Sequence, residues 1–234
     1  MKILIDPGHG GTDPGAVGTG VKEKDFTLDI SLKVINLLKK QGLNVETTRD
    51  NDIYLDLKQR IKPCDISISI HVNSNKGQGL ETWVGMYNKP DESKKLGQAI
   101  HENILKLVPF KDRGLKTEKS TKGDYDYHYM IRKPLGVPIM VECGFIDNNN
   151  DVSILKIYKD KISEGIAKGV CEYLGVNFKG SDNMELNVFG KDIELQKVVM
   201  QDNLNYVNLR ELFEKLNCKV DWDKETNKTY VSLK

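Results

Sequence analysis

The sequence predicts an α/β fold, a mostly parallel twisted sheet flanked by helices, followed by a small C-terminal α+β module. Short β-branched stretches alternate with amphipathic helical stretches up to about residue 175, and this alternation is typical of right-handed parallel crossovers. From residue 184 onwards the pattern changes to short strands separated by turn residues. The 234 residues are enough for one domain of ordinary size and a small second one.

Hydrophobic periodicity defines the elements of the larger domain. In the first helical stretch, apolar residues recur every three or four positions and stop before Gly42. In a later strand, Ile66, Ile68 and Ile70 alternate with two serines and His71, so one face is apolar. The predicted elements are strand 2–5, a helix over 28–38, strand 43–48, helix 55–62, strand 65–70, edge strand 80–86, helix 92–108, an irregular region 111–132 that can rim a cleft, strand 138–141, and helices 151–157 and 160–174.

A polar stretch containing Gly and Ser, 178–183, separates the two predicted domains. We therefore predict a catalytic domain over 1–177 and a module over 184–234. The predicted elements of the module are strands 184–189 and 193–200 as a hairpin, a helix over 209–216 capped by Asn208, and a hairpin of 218–222 with 228–233. About fifty residues form only a marginal core, which favours a small binding module.

Composition excludes several classes of partner. The formal net charge is +1 and no block of five like charges occurs, so we predict no nucleic-acid binding and no polybasic membrane patch. The four cysteines form no C-x-x-C pair and lie mostly in apolar runs, which favours buried thiols in a reduced compartment. Because no apolar stretch is long enough for a signal peptide or a membrane span, we expect synthesis in the cytoplasm and no membrane insertion.

Three titratable side chains follow three predicted strands. His9 comes after the first strand, His71 ends the alternating strand, and Glu142 follows 138–141. Open α/β sheets bind ligands outside the carboxyl ends of their strands. We therefore expect these three side chains to share one site.

Two imidazoles and a carboxylate are a common zinc set in catalytic sites, with a further position left for water. His9 and His71 supply the imidazoles, and Glu23, Glu142 or Asp6 can supply the carboxylate. Scattered ligands are a weaker signal than a helical H-E-x-x-H motif. Each residue also has a structural explanation: a histidine on a Gly-rich turn, a hydrogen-bonded strand-end histidine, and a glutamate stabilised by a helix N-terminus.

Three other side chains can carry chemistry. His101 falls between Ile100 and a glutamate in a helix, which is typical of a surface residue. His128 lies among tyrosines, where packing is the commoner role. Arg132 can hold a substrate carboxylate, although an exposed salt bridge is the commoner fate.

Four motifs together resemble one protein family. They are DPGHGG at 6–11, Glu23 ahead of the first helix, SIHVNS at 69–74 and VECGFIDN at 141–148, and the segment TRDNDIYL at 48–55 is similar as well. This pattern resembles the zinc-dependent N-acetylmuramoyl-L-alanine amidases of the type 3 class, which cut bacterial cell walls. The resemblance runs from about residue 1 to 175 in the same order.

The resemblance implies the roles of the site residues. It implies one Zn²⁺ per catalytic domain held by His9, Glu23 and His71, with Glu142 as the catalytic carboxylate. The reaction implied is hydrolysis of the amide between N-acetylmuramic acid and L-alanine. Zinc lowers the pKa of a water and polarises a carbonyl, and Glu142 would carry the proton to the leaving amine. Cys143 departs slightly from the family pattern.

The same resemblance implies partners and a cellular role. Bacterial peptidoglycan is the expected substrate, and a phage endolysin that reaches the wall after release is the expected role. The alternatives are a bacterial autolysin, a zinc peptidase of the stem peptide, and a non-catalytic wall-binding protein. Residues 205–212 and 220–223 resemble a cell-surface repeat of copper amine oxidase N-terminal-like modules, which predicts a cell-wall ligand and does not imply copper.

Overall fold

The structure is a computed structural model that describes residues 1–180, 184–188, 191–195, 198–201, 204–207, 209–223 and 228–233. The chain divides into two compact units, Met1–Phe178 and Lys179–Lys234. The strands of the first unit are β1 (Lys2–Pro7), β2 (Val17–Gly18), β3 (Val21–Lys22), β4 (Asn44–Thr47), β5 (Ile66–Asn73), β6 (Leu80–Val84), β7 (Asp112–Lys116) and β8 (Val137–Phe145). Its helices are α1 (Glu23–Lys40), α2 (Pro90–Leu107), α3 (Tyr129–Arg132) and α4 (Asn149–Leu174). None of the helices described is both long enough and apolar enough to cross a membrane.

The main sheet has six strands in the order β4-β1-β5-β8-β6-β7. The strands β4, β1, β5 and β8 are parallel, whereas β6 pairs with β8 antiparallel and β7 runs parallel to β6. The predicted fold class is therefore confirmed as a mixed, mostly parallel sheet. Because β6 and β7 run in the opposite direction, they begin at the edge where β1, β5 and β8 end.

One face of the sheet carries the hydrophobic core. The isoleucines of β1 and β5 are at most 1% exposed on this face. The helices α1, α2 and α4 belong to the same core, and α4 contacts both α1 and α2. Fully burying such a side chain stabilises the fold by about 1.5–3 kcal/mol. Gly165 and Gly169 let α4 approach α2 closely, because a Cβ at either would lie 2.7 or 2.4 Å from a Cα of α2.

The structure differs from the predicted elements at three places in the chain. The strand predicted at an edge, β6, lies between β8 and β7, because β7 forms within the region predicted to be irregular. Residues 55–62 form no helix; the Asp56 carboxylate accepts hydrogen bonds from two nearby backbone N–H groups and stabilises a turn instead. The two last predicted helices are one continuous helix, α4, which contains no helix-breaking proline and forms ion pairs with α1 through Lys159 and Asp160.

The second unit consists of short antiparallel pairs and a short helix. Its elements are β9 (Met184–Val188), β10 (Lys191–Leu195), β11 (Val198–Gln201), β12 (Leu204–Val207), α5 (Leu209–Lys215), β13 (Cys218–Asp223) and β14 (Lys228–Leu233). β9 pairs with β10, β11 with β12 and β13 with β14. The last hairpin agrees with its prediction, whereas the predicted strand 193–200 is divided between β10 and β11. The proposed cap Asn208 and linker residues 181–183 lie outside the described residues.

Candidate metal centre

The loop after β1 is held rigidly by two buried arginines. Arg60 donates to the carbonyl oxygens of Pro7 and His9 at 2.7 Å, and Arg49 donates to those of Pro7 and Gly8 at 3.2 and 2.9 Å. His9 has a φ of 60°, an unusual value for a residue with a Cβ. These long-range hydrogen bonds stabilise that conformation and direct the imidazole across the sheet edge.

The buried Asp6 carboxylate supports this loop and is fully occupied. It is 0% exposed and accepts hydrogen bonds from Thr48 Oγ1 at 2.7 Å, Ser69 Oγ at 2.7 Å and Arg60 Nη1 at 2.9 Å. A carboxylate with three protein donors is poorly placed to bind a metal as well. Of the carboxylates that the sequence left open, Asp6 is therefore a structural group.

Glu23 is the first residue of α1, and its carboxylate lies between the two imidazoles. Its Oε1 is 2.9 Å from His71 Nδ1, and its Oε2 is 3.2 Å from His9 Nε2. Each oxygen also accepts a backbone hydrogen bond, from Val72 N at 3.0 Å and from Ala16 N at 2.9 Å. The side chain is only 5% exposed, so its position is determined from several sides.

Two glycines make room for this cluster. A Cβ on Gly8 would lie 2.4 Å from Cε1 of His71, and one on Gly15 would lie 2.6 Å from Glu23 Oε2. Any side chain at Gly8 would displace the imidazole. Gly15 also has a φ of +66°, which favours glycine.

His9, Glu23 and His71 each offer one ligand atom, and these atoms all lie within 4.8 Å of one another. With Zn–ligand distances near 2.0–2.1 Å, neighbouring ligand atoms of a tetrahedral site lie about 3.3 Å apart, close to the His9–Glu23 separation of 3.2 Å. His9 Nδ1 donates to Asp13 Oδ2 at 2.8 Å, the hydrogen bond that zinc-binding histidines typically make. A shallow cleft reaches both imidazoles. The donor set fits Zn²⁺.

Electrostatics in this cluster favour a cation between the three groups. Burial alone would raise the pKa of Glu23, but hydrogen bonds from His71 and His9 outweigh it and hold that pKa well below its usual range. Burial likewise opposes the charge on His71, yet Glu23 raises its pKa to about 9, and the pKa of His9 is also raised. In the metal-free protein, protons on the imidazoles balance the negative charge of Glu23, and a bound metal ion would replace them in this role.

Glu142 lies on β8 directly opposite His71 on β5. It is 9% exposed, and its Oε2 is buried without a hydrogen-bond partner among the described residues. Burial raises the pKa of Glu142 to about 7, with the nearby carboxylates of Glu23 and Glu81 adding to the rise. A carboxyl group with this pKa can both accept and donate a proton near neutral pH.

The sequence interpretation missed two side chains at this edge. Asp13 orients His9, and Glu81 on β6 lies directly opposite Glu142 on β8. Glu81 is 3% exposed and accepts hydrogen bonds from Asn73 Nδ2 and Arg113 Nε, both at 2.7 Å. A carboxylate inside an otherwise apolar strand pattern was the signal available in the sequence.

The remaining candidates lie outside the cluster. His101 was predicted at the surface, and this is wrong: it is 3% exposed and bridges Thr82 Oγ1 at 3.0 Å and Asp112 Oδ1 at 2.8 Å. The reason is that α2 packs on β6 and β7, so a helix face that carries polar residues in the sequence is covered by these two strands. His128 packs against Trp83 with ring centroids 4.6 Å apart. Arg132 donates to backbone carbonyl groups of its own loop.

Comparison with known proteins agrees with this geometry. Residues 3–172 match the Amidase_3 family, described as N-acetylmuramoyl-L-alanine amidase. The chain is 34% identical to the N-acetylmuramoyl-L-alanine amidase LytC of Bacillus subtilis over 73% of its own length and 35% of that protein, so it spans about a third of this relative. It is 32% identical to the endolysin of Bacillus phage SPP1, over 76% of this chain and 67% of that protein.

A solved structure shows the same fold. The catalytic domain of CwlV, an N-acetylmuramoyl-L-alanine amidase from Bacillus (Paenibacillus) polymyxa var. colistinus, aligns with a TM-score of 0.66 and 31% identity. The alignment covers 75% of this chain and 99% of that domain. The chain belongs to the N-acetylmuramoyl-L-alanine amidase family.

Proposed function

We propose that this protein is a zinc-dependent peptidoglycan hydrolase that cleaves the amide between the lactyl group of N-acetylmuramic acid and L-alanine. The observation that carries the proposal is the cluster of His9, Glu23 and His71 beside buried Glu142, whose Oε2 has no hydrogen-bond partner among the described residues. Membership of the amidase family supports the choice of bond.

We propose His9, Glu23 and His71 as the ligands of one Zn²⁺. When bound, zinc supplies Lewis-acid chemistry, polarising a carbonyl group and lowering the pKa of water. Asp13 holds the His9 ring in position, and Val72 N and Ala16 N hold the Glu23 carboxylate. The ligand side chains are thus fixed before the metal arrives, which favours tight binding.

Glu142 is proposed as the general base and acid. It lies next to the ligand cluster on the neighbouring strand and has a pKa of about 7 because it is buried. In this role its carboxylate removes a proton from the attacking water and delivers it to the leaving nitrogen of L-alanine. In the part of the chain that the structure describes, no hydrogen-bond partner occupies its Oε2, so this oxygen is available to take up the proton.

The identity of the new chemical ends tests the reaction. Purified peptidoglycan is digested, free amines are labelled with a dinitrophenyl reagent, and the labelled residues are identified after acid hydrolysis. We expect the label on alanine to rise with lysis while reducing sugar stays constant. Label on another residue would instead support a stem-peptide endopeptidase, and a rise in reducing ends would support a glycosidase.

Two variants separate the proposed roles. Glu142→Gln keeps the shape of the side chain and removes proton transfer, so we expect bound zinc and an intact fold with at least a hundredfold loss of activity. His71→Ala should instead lose the metal. If Glu142→Gln also emptied the site in a metal analysis, Glu142 would be a ligand and the assignment of Glu23 would be wrong.

We propose the wall of a bacterial host as the site of action, with release of phage as the purpose. Relatives at similar identity include a phage endolysin and bacterial amidases, so the comparison supports wall cleavage in either setting. Expression inside bacteria with and without a membrane-permeabilising holin tests this role. Lysis that depends on the holin is the expected result, and lysis without it would contradict the proposal.

We propose that residues 184–234 bind a cell-wall ligand. The support is their division into a separate unit from Lys179 onwards and the resemblance of two segments to cell-surface repeats. A chain ending at Phe178 should still hydrolyse soluble muropeptides but bind intact walls less well. Equal sedimentation of the full and shortened chains with whole walls would contradict the targeting role.

A further inference from the structure

A fixed arginine lies beside the catalytic edge of the sheet. Because β6 and β7 run opposite to β8, the first residues of both strands reach the edge where Glu142 lies. Arg113 is the second residue of β7, where a bulge places it and Gly114 opposite Glu81. Bulges of this kind redirect side chains next to active sites.

Glu81 and Phe145 hold the Arg113 guanidinium in one orientation. Its Nε donates to Glu81 Oε2 at 2.7 Å, and its Cζ lies 4.9 Å from the centre of the Phe145 ring. Glu81 is itself fixed by Asn73 Nδ2 at 2.7 Å from its other oxygen. An arginine ordered in this way loses little conformational entropy when it binds a further group.

The outer edge of this guanidinium remains available. The Arg113 side chain is 34% exposed, and within the described part of the chain no acceptor is bonded to its two Nη groups. Two parallel N–H donors on a fixed guanidinium match the two oxygens of a carboxylate. The exposed edge is therefore well suited to a carboxylate ligand.

The register of the strands gives the distance from the proposed bond cleavage. Neighbouring strands are about 4.8 Å apart, and Arg113 is bonded to Glu81, which lies one strand from Glu142. Arg113 itself is on β7, two strands from β8, and reaches back to Glu81. The guanidinium is therefore between one and two strand spacings, ~5–10 Å, to the side of the proposed catalytic group. An extended peptide advances about 3.5 Å per residue. When the amide before L-alanine lies at Glu142, the residue that follows L-alanine can therefore reach Arg113.

We propose that Arg113 binds a free carboxylate on the stem-peptide residue that follows L-alanine, and that this contact makes the enzyme selective for acidic stem peptides. The inference rests on the proposed function, because it places the scissile amide at Glu142. Glu81 is a positioning residue in this arrangement: it orients Arg113 and compensates its charge before the substrate binds.

A purely structural role for Arg113 predicts a different result. In that case the guanidinium only neutralises buried Glu81. Its loss would lower the folded fraction of the protein, and the activity on every substrate would fall by the same factor. The test is therefore a comparison of two substrates on one enzyme preparation, because the ratio of their kcat/KM values does not depend on the folded fraction.

The two probes are muramoyl-L-alanyl peptides whose second residue is D-glutamate linked through its γ-carboxyl. In one the α-carboxyl is free, and in the other it is a carboxamide. The zinc-loaded full chain should hydrolyse the carboxylate peptide with about tenfold higher kcat/KM, the effect of one charge-assisted hydrogen bond at a partly exposed site. Arg113→Gln should reduce this ratio to about one, mainly through the KM of the carboxylate peptide.

Lys111→Gln is the matched control, because it removes an equally cationic, exposed side chain two residues away. We expect it to keep the tenfold ratio. Two results would overturn the proposal for Arg113 and leave the proposed function intact. One is equal kcat/KM values for the two peptides with the unmodified enzyme, and the other is an unchanged ratio in Arg113→Gln. Failure of the zinc-loaded enzyme to cleave either peptide would overturn the proposed function and, with it, this inference.

Discussion

Asp13 provides a test of the metal site that leaves every proposed ligand in place. Its Oδ2 accepts a hydrogen bond from His9 Nδ1 at 2.8 Å, while its Oδ1 accepts one from Gly15 N at 3.0 Å. Asp13→Asn keeps the size of the side chain but removes the charge that makes the imidazole a better ligand. We expect weaker zinc binding with an unchanged fold.

The expected magnitude follows from the environment of Asp13. Loss of a partner that orients a metal ligand typically lowers metal affinity 10–100-fold, or about 1.4–2.8 kcal/mol. The Asp13 side chain is 41% exposed, and among the influences on the His9 pKa its hydrogen bond ranks below burial and Glu23. Both facts favour the lower end, about tenfold.

Competition with a chromophoric chelator measures the zinc affinity of the unmodified protein and of Asp13→Asn. Asp52→Asn is the matched control, because Asp52 accepts from Gly11 N on the same loop and its other oxygen pairs with Lys24 Nζ at 2.6 Å. Affinity within twofold of the unmodified protein, or an equal loss in the Asp52 variant, would refute the reasoning. Thermal unfolding of the metal-free proteins should show no difference beyond that of a surface substitution.

Three further predictions concern the same edge of the sheet. Gly8→Ala should abolish zinc binding in a metal analysis, because the new methyl group overlaps the His71 ring; a zinc-loaded variant would contradict this. Asp6→Ala should lower the free energy of unfolding in urea by about 3–5 kcal/mol, since buried Arg60 loses the carboxylate that balances its charge; a change below 1 kcal/mol would contradict it. In the metal-free protein, the raised pKa of His71, about 9, contributes stability that is complete below pH 6.5 and lost as pH rises through 9, while zinc affinity should rise over the same interval because binding displaces the proton. Metal-free stability that rises with pH, or zinc affinity that falls with pH, between pH 6.5 and 9 would contradict the assignment.

Local pattern determined which side chains reach the carboxyl edge of the parallel strands. Alternation along β5 places His71 on the face opposite the isoleucine core, and the strand preceding Gly8 ends just before His9. Parallel strands bring their carboxyl ends to one edge, so His9, His71 and Glu142 could be placed together from spacing alone. This inference needs only the period of a strand and the direction of its neighbours.

Only the tertiary structure shows which hydrogen-bond partners surround each of the three carboxylates. By residue type and spacing alone, Asp6, Glu23 and Glu142 were equivalent candidates, and hydrogen bonds over long sequence separations give each a different environment. Arg60 occupies Asp6 from 54 residues away, the two imidazoles surround Glu23, and Glu142 Oε2 is buried without a partner in the described part of the chain.

The direction and position of the antiparallel strand β6 were likewise not predictable from the sequence, and they determine which side chains surround the site. Its direction brings Glu81 opposite Glu142 and Arg113 beside Glu81, and its position between β8 and β7 buries His101. Residue periodicity reports which face of an element is apolar, but it contains no information on strand order or on which distant donor reaches a buried acceptor. Those choices depend on packing of the whole domain, because a buried charge is stable only where its partners converge.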